Sequence, residues 1–411
     1  MKIEKRRHEM QFELRLGQQY LPITEEAEVT FLLRLLRDSQ KQAAEFPIDI
    51  RQVLDRSGSM SEPADGGLTK IEALKAAVKQ SLELLRQGKD RLCIVVFDDE
   101  MQVILDPTVV SDINAIKRLI GGIDTGNTTH LSSPLRYAID VGPMKDALPK
   151  IIIFTDGLVN TPSEDLEEKA CYDLARQANK MGTPLAIFGT GTAYNERFLK
   201  RMAELAGRGS YFEHVKQVGA MRLRLEDDLE NLKSVQDRDV RVIIQAEPPA
   251  EILEAFKYVP QQQNLPVSGK AVQDEFPGLD IRGQAYLIKT KVRTGNAVGD
   301  FKVAVITVNW QSPAGNVSKT FDVAVNFTSD ENLLSPIDKT VRNTVLNTAA
   351  VEATLAGQFP RAQTLFETSG NQDMAEKVKT LGNGDEDKKR TLRTATVTDA
   401  NKGITGKKGG K

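Results

Sequence analysis

Each of two segments passes directly from apolar into polar residues: VLDRSGSM at positions 53–60, and IIIFTDG at positions 151–157. The run from 151 to 154 is continuously apolar, which is typical of a strand covered on both faces of a parallel sheet. In such a sheet the loops after the carboxyl ends of the strands line the ligand crevice. The two segments therefore predict a parallel sheet that carries Asp55, Ser57, Ser59 and Asp156 at one edge.

Residues 45–235 alternate between strand and helix patterns around these segments. Strands are predicted at 48–54, 91–97, 102–105, 151–154, 184–188 and 210–213. Helices are predicted at 70–85, 112–120, 132–144, 163–180 and 195–206. Strands separated by helices of this length require crossover connections. We therefore predict an α/β domain, with a doubly wound and mainly parallel sheet between two helix layers.

Period-two alternation marks four segments after residue 236, at 240–246, 283–292, 303–310 and 320–327. This pattern predicts antiparallel β structure, and we assign residues 236–330 to a small β-sandwich. Segments 10–16 and 29–35 alternate in the same way. We therefore expect the strands of residues 1–44 to join the sandwich, so that the α/β domain is inserted in it. A loose N-terminal hairpin is the alternative.

The C-terminal part of the chain changes character twice. Two amphipathic patterns at 341–356 and 360–367 predict a helical hairpin, which we place within residues 331–381. From Lys388 onward the chain has eight basic residues and one acidic residue, without an apolar period. Residues 382–411 are therefore predicted to form a disordered basic tail.

The composition limits the class of protein. The 411 residues include 55 basic and 57 acidic side chains, a formal net charge of −2, whereas nucleic-acid-binding proteins are normally basic. No stretch approaches the roughly eighteen apolar residues of a membrane-spanning helix, and no apolar run follows the basic start, as a secretory signal would require. The two distant cysteines, Cys93 and Cys171, fit a reducing compartment. We expect a cytoplasmic protein without a nucleic-acid partner.

The loops at the predicted sheet edge are rich in oxygen donors. Asp55, Ser57 and Ser59 offer a carboxylate and two hydroxyls at alternate positions, and Asp156 ends the buried strand before Gly157. The segment GNTTHLS at 126–132 adds a threonine hydroxyl. Oxygen-only ligand sets suit Mg²⁺, Mn²⁺ or Ca²⁺ better than zinc or copper. A turn or helix-capping cluster is the alternative for the aspartate and serines.

Together, VLDRSGSM, the threonine loop and IIIFTDG resemble the von Willebrand factor type A domain with its metal-ion-dependent adhesion site. In that family an Asp-x-Ser-x-Ser loop, a threonine and a distant aspartate hold one divalent ion. The match falls on Asp55, Ser57, Ser59, Thr129 and Asp156. The resemblance implies that the hydroxyls bind the ion directly, that the carboxylates act through water, and that one coordination position stays open for a partner.

The threonine loop leaves two assignments open. Its spacing to Leu131 and Leu135 favours Thr129 as the ligand, with Thr128 as the alternative. His130 is placed at the rim of the ligand site, where an ordinary loop side chain is the competing interpretation. The acidic run 98–100 is interpreted as a solvated hairpin turn, and a second cation site is the alternative.

The resemblance implies a binding function. The chain has neither a Gly-x-Ser-x-Gly elbow nor a Walker loop, so we expect a binding protein rather than an enzyme. A protein partner would supply an Asp or Glu side chain to Mg²⁺, with Mn²⁺ or Ca²⁺ as alternatives. The following β region and helices resemble bacterial proteins labelled calcium-activated chloride channel homologues, a label that describes similarity only. Two other hypotheses remain: an adaptor subunit of an AAA+ ATPase or kinase–phosphatase system, and a metal-dependent hydrolase.

Overall fold

The computed structural model describes residues 10–37, 46–64, 67–156, 164–190, 194–215, 218–312, 314–401 and 404. Gly157, part of the predicted site motif, lies outside these residues. The chain forms two units, one comprising residues 43–236 and the other comprising residues 1–42 together with 237–411. The first unit therefore interrupts the second along the chain.

The described part of the N-terminal segment contains three strands, β1 (Gln11–Leu16), β2 (Tyr20–Pro22) and β3 (Glu26–Leu36). Strand β1 pairs antiparallel with β3, from Gln11 opposite Leu36 to Leu16 opposite Phe31. The alternation of Phe31, Leu33 and Leu35, which are fully buried in one core, gives β3 its inward face.

The inserted unit is built on one six-stranded sheet. Its strands are β4 (Ile48–Asp55), β5 (Arg91–Phe97), β6 (Met101–Val109), β7 (Leu148–Thr155), β8 (Leu185–Thr190) and β9 (Tyr211–Val215). Their order is β6-β5-β4-β7-β8-β9, and only the edge strand β6 runs antiparallel to its neighbour. Strand β4, which ends at Asp55, lies between β5 and β7, so the carboxyl ends of these three strands meet at one edge.

Helices cover both faces of this sheet. They are α1 (Lys70–Ser81), α2 (Ile113–Gly121), α3 (Ser132–Asp140), α4 (Glu164–Lys180), α5 (Glu196–Ala206) and α6 (Val218–Lys233). Apolar residues of α1, α2 and α6 share one core, and those of α3, α4 and α5 share the other. The predicted doubly wound, mainly parallel α/β domain is confirmed.

The second unit contains a β-sandwich. Its further strands are β10 (Asp237–Ala246), β11 (Ala250–Lys257), β12 (Gln263–Asn264), β13 (Val267–Ser268), β14 (Ala271–Leu279), β15 (Gln284–Arg293), β16 (Gly299–Ser312) and β17 (Gly315–Thr328). One sheet has the order β1-β3-β15-β11-β12 and the other β13-β14-β10-β16-β17-β2. The pairing of β3 with β15 over ten positions confirms that N-terminal strands join the sandwich. Only β2 departs from the antiparallel pattern, because it pairs parallel with β17.

Four helices follow the sandwich in the part of the chain that the structure describes, α7 (Lys339–Leu355), α8 (Phe359–Ser369), α9 (Gln372–Leu381) and α10 (Glu386–Asp399). The first two form the predicted hairpin. The prediction of a disordered tail from residue 382 is wrong over α10, because Leu392 is fully buried in the core that the four helices share. Among the described helices, none has the length and apolar run that crossing a bilayer would require.

Candidate functional site

The buried carboxylate of Asp55 lies at the centre of the candidate site. Its side chain is held at the end of β4 by two hydrogen bonds. Oδ1 accepts the backbone N–H of Ser57 at 2.8 Å, and Oδ2 accepts the hydroxyl of Thr155 at 2.6 Å. Among the described residues, no basic side chain pairs with this carboxylate.

Burial raises the pKa of Asp55 to about 6. The hydrogen bonds from Ser57 and Thr155 oppose this rise, and the nearby charge of Asp156 adds to it. A buried carboxylate without a cationic partner is costly to ionise. The site therefore gains from any cation that approaches Asp55.

The two serines connect Asp55 to Asp156. A tight helical turn over Gly58–Ser61 follows β4, and the hydroxyl oxygens of Ser57 and Ser59 lie 3.2 Å apart. Ser59 donates its hydroxyl to Oδ1 of Asp156 at 2.7 Å. The structure thus brings four of the five predicted metal-site residues into one hydrogen-bonded group.

Thr129 lies in the loop that borders this group. Gly58 N–H donates to the carbonyl of Asn127 at 2.8 Å, which joins the serine loop to the threonine loop. Of the two threonines considered, Thr129 is buried and Thr128 is exposed. His130 is half-buried, and its backbone N–H donates to the carbonyl of Asp98 at 2.8 Å.

Asp98 is a structural residue of the site that the sequence did not reveal. It follows β5 directly, and its carboxylate accepts hydrogen bonds from Arg56 at 3.0 Å, from Glu100 N–H at 3.2 Å and from Asn127 N–H at 3.3 Å. The interpretation of residues 98–100 as a solvated turn is therefore wrong for Asp98, which is 4% exposed. The apolar strand that ends in this aspartate gives the same signal that identified Asp156.

Hydrogen bonds hold Asp98 in its ionised form. Burial alone would raise the pKa of Asp98, but the hydrogen bonds from Arg56, Glu100 and Asn127 outweigh it and hold the pKa below its ordinary value. The carboxylate leaves no room beside Gly126, where a Cβ atom would lie 1.6 Å from Oδ2 of Asp98. Asp98 thus fixes the serine and threonine loops relative to each other.

Lys70 is the second residue that the sequence did not reveal. Its ammonium nitrogen lies 2.5 Å from Oδ2 of Asp156 and 2.8 Å from Oε2 of Glu62. Burial would lower the pKa of Lys70, but these two carboxylates outweigh burial and raise it. The two central aspartates therefore differ, because Asp156 has a cationic partner and Asp55 has none in the described part of the chain.

The donor set fits a hard divalent cation, although the carboxylates alone do not form a metal cluster. No group of three His, Cys, Asp or Glu side chains arranged for a metal occurs among the described residues. An ion here would therefore depend on the hydroxyls of Ser57, Ser59 and Thr129, with Asp55 and Asp156 close by. Such oxygen donors suit Mg²⁺, Mn²⁺ or Ca²⁺.

The inserted unit has the fold of a von Willebrand factor type A domain. Residues 52–158 match the family model of that description. Domains of this type commonly mediate protein–protein interaction.

Known structures extend the likeness over nearly the whole chain, at the level of the fold. A protein described as von Willebrand factor type A from Catenulispora acidiphila superimposes with a TM-score of 0.72 and 16% identity, covering 96% of this chain and 98% of that one. The ArnB paralog VWA2 from Sulfolobus acidocaldarius gives a TM-score of 0.63 and 16% identity, covering 94% and 97%.

Sequence relatives match a smaller part. A protein of Mycobacterium bovis named UPF0353 protein is 26% identical over 180 residues, 39% of this chain and 53% of its own length. The chain thus spans about half the length of the curated relatives it matches, and their name states no activity.

Proposed function

We propose that the type A domain is a metal-dependent module that binds another protein. Ser57, Ser59 and Thr129 would contact a divalent cation, Mg²⁺ in the first instance, and Asp55 and Asp156 would balance its charge. A partner would complete the shell of the ion with an Asp or Glu side chain. The proposal favours recognition over catalysis, because the carboxylates at the edge are engaged in hydrogen bonds that position the loops.

One observation carries this proposal. Asp55 is fully buried beside two hydroxyl oxygens 3.2 Å apart, and none of the described basic side chains neutralises it. Buried charges are normally paired or coordinate metals. A cation held between Asp55 and the hydroxyls would supply the missing charge without any rearrangement of the sheet.

Coordination by a partner would supply both affinity and selectivity. A carboxylate and a divalent cation carry opposite charges, and their attraction is stronger in a partly buried site than in water. The exposed rim of the edge, which includes Thr128, offers side chains that a partner can contact. Loops outside the metal site would therefore decide which acidic protein binds.

The test is affinity capture from a cell extract, performed in parallel with magnesium and with chelator. The matched variants are Asp55→Asn, which keeps the shape of the side chain, and Asp99→Asn, which removes an exposed charge at the same edge. We expect chelator and Asp55→Asn to abolish capture and Asp99→Asn to retain it. Capture that survives both metal removal and Asp55→Asn would refute the proposal.

The adaptor and hydrolase hypotheses remain predictions, and the same experiment bears on the first of them. Identification of the captured proteins would show whether an AAA+ ATPase or a kinase–phosphatase system is among them. The cytoplasmic location also remains a prediction.

A further inference from the structure

The ammonium group of Lys70 lies where a cation would neutralise the site. Its nitrogen contacts Asp156 at 2.5 Å and Glu62 at 2.8 Å, and the side chain is 17% exposed. The carboxylate of Asp156 is fully buried, whereas that of Glu62 is 61% exposed. The pair with Asp156 is therefore the better shielded of the two.

Local structure fixes the position of this lysine. Helix α1 begins at Lys70, and its N-terminus is closed by a capping box in which Thr69 and Glu72 bond each other's backbone. The backbone N–H of Lys70 donates to the carbonyl of Glu62 at 3.0 Å. Because these contacts hold the backbone of Lys70, a movement of its side chain alone would break the ion pair with Asp156 and leave the hydrogen bond from Ser59 in place.

The charges at the site give Lys70 two opposite effects. A divalent ion between Asp55 and Asp156 would be neutral with those two carboxylates, and Lys70 adds one positive charge. That charge repels the incoming ion and so weakens its binding. Glu62 balances this charge formally, but it is 61% exposed and therefore better screened by solvent than the buried Asp156. The ammonium group of Lys70 thus still makes the potential at the open position more positive, which favours an anionic ligand there.

We propose that Lys70 acts as a built-in counter-ion, which stabilises the metal-free site, lowers its affinity for the divalent ion and favours a carboxylate ligand once the ion is bound. This inference rests on the proposed function. It concerns a residue that tunes the site and does not itself coordinate the ion. If Lys70 were purely structural, replacing it would lower the stability of the protein without raising the affinity for the metal ion.

The experiment compares the full chain with Lys70→Met, Lys70→Arg and Lys75→Met. Lys75 lies on the same helix, and its ammonium group donates to the carbonyl of Ile123 instead of a site carboxylate. Calorimetric titration with MnCl₂ gives the affinity for the ion. Thermal unfolding with chelator and with Mn²⁺ gives the stabilisation that the ion confers.

We expect Lys70→Met to bind Mn²⁺ about tenfold more tightly than the unmodified chain, equivalent to about 1.4 kcal/mol. With chelator its melting temperature should be lower, because Asp156 is left buried without a cation. The increase in melting temperature on adding Mn²⁺ should be larger for Lys70→Met than for the unmodified chain. Lys70→Arg and Lys75→Met should bind Mn²⁺ with the affinity of the unmodified chain.

Acetate serves as the probe for the open position. It is titrated into the manganese-loaded chains, and solvent proton relaxation reports its binding. We expect Lys70→Met to need a higher acetate concentration than the unmodified chain to reach the same change in the proton relaxation rate. An equal or lower requirement would overturn the proposed preference for a carboxylate.

The outcomes separate this inference from the function on which it rests. If the unmodified chain binds Mn²⁺ and Lys70→Met binds it equally or more weakly, the counter-ion role is overturned and the metal site stands. If the unmodified chain binds no Mn²⁺, the metal site and the role of Lys70 are both overturned.

Discussion

Single side chains at the sheet edge have two different tasks. Asp55 and Asp156 face the group of hydroxyls, whereas Asp98 faces backbone amides and the guanidinium of Arg56. Asp98 sets the distance between the loops, and this distance decides whether Asp55 and Asp156 can act on the same cation. Removal of Asp98 should therefore act on stability as well as on the site.

Asp98→Asn should destabilise the protein by about 2 kcal/mol near neutral pH, because it replaces charge-assisted hydrogen bonds by neutral ones. The folded pKa of Asp98 lies below its ordinary value of 3.8. The ionised carboxylate therefore contributes stability above that value, and the contribution is lost as pH falls through the folded pKa. Denaturant unfolding at a series of acidic pH values should show the free energies of unfolding of Asp98→Asn and the unmodified chain becoming equal at low pH.

The exposed neighbour Asp99 provides the control for this measurement. Asp99→Asn should change the free energy of unfolding by no more than about 0.5 kcal/mol. A difference between Asp98→Asn and the unmodified chain that grows as pH falls would contradict the assigned direction of the pKa.

Gly126→Ala should destabilise the inserted unit, because the new methyl group would overlap Asp98. The added Cβ would lie 1.6 Å from Oδ2 and 2.9 Å from Cβ of Asp98, so the aspartate must move. We expect a loss of about 2 kcal/mol in the free energy of unfolding. Gly122→Ala is the matched control, since its nearest contact would be an ordinary 3.6 Å, and equal losses in both variants would refute this steric account.

The sequence identified the site residues that adjoin a strand or a recognisable motif. Asp55 and Asp156 were predictable because parallel strands end at a common edge, and the serines follow Asp55 within one turn. Lys70 was not predictable, because its contact with Asp156 joins positions 86 residues apart and requires the path of the chain between them. Asp98 carried a usable signal, but its neighbours in the acidic run favoured a solvated turn.

At the level of secondary-structure elements, α10 shows why composition misled the prediction. The helix is mostly polar, yet Leu392 and Thr396 on one face are fully buried. Thr396 donates its hydroxyl to the carbonyl of Leu392 at 2.6 Å, so it can be buried without an unsatisfied donor. Asp385 caps the helix by accepting the N–H of Lys388 at 3.0 Å, a signal that was present in the sequence.

Leu392→Ala should lower the free energy of unfolding of the second unit by about 3 kcal/mol, because it leaves a cavity among the four helices. Leu355→Ala on α7 is the matched control, since Leu355 is 38% exposed, and it should cost about 0.5 kcal/mol. Denaturant unfolding monitored by circular dichroism gives both values. Similar small losses in the two variants would show that α10 does not pack as described.

For the whole molecule, the insertion of one unit in the other followed from pattern alone. Segments on both sides of the α/β domain alternate with the same period, and β3 and β15 pair directly. Strand β2 escaped prediction because three residues cannot show a period, and β11 and β14 because their alternation is interrupted. Whether such segments form strands depends on their pairing with residues distant in the chain, and this pairing cannot be seen in a single sequence.

The two units have separate hydrophobic cores, so each should fold alone. We expect residues 43–236 to unfold cooperatively when expressed by themselves. The sandwich should also fold when residues 1–42 are joined to 237–411 by a short linker, since Arg37 and Asp237 lie 3.4 Å apart as an ion pair. Circular dichroism during thermal unfolding checks the folding of both separate units. A noncooperative transition in either unit would contradict the division of the chain into two independently folding units.

The convergence of three loops on a cation is tested most directly by diffraction from crystals of the full chain grown with Mn²⁺. The account predicts one anomalous difference peak within bonding distance of the hydroxyl oxygens of Ser57, Ser59 and Thr129, beside Asp55 and Asp156. Crystals of Asp55→Asn grown in the same way should lack the peak. The convergence of the three loops on a cation would be contradicted by a map of the unmodified chain that shows no ion among these side chains. The crystals for that map must be grown at a manganese concentration that saturates other divalent sites.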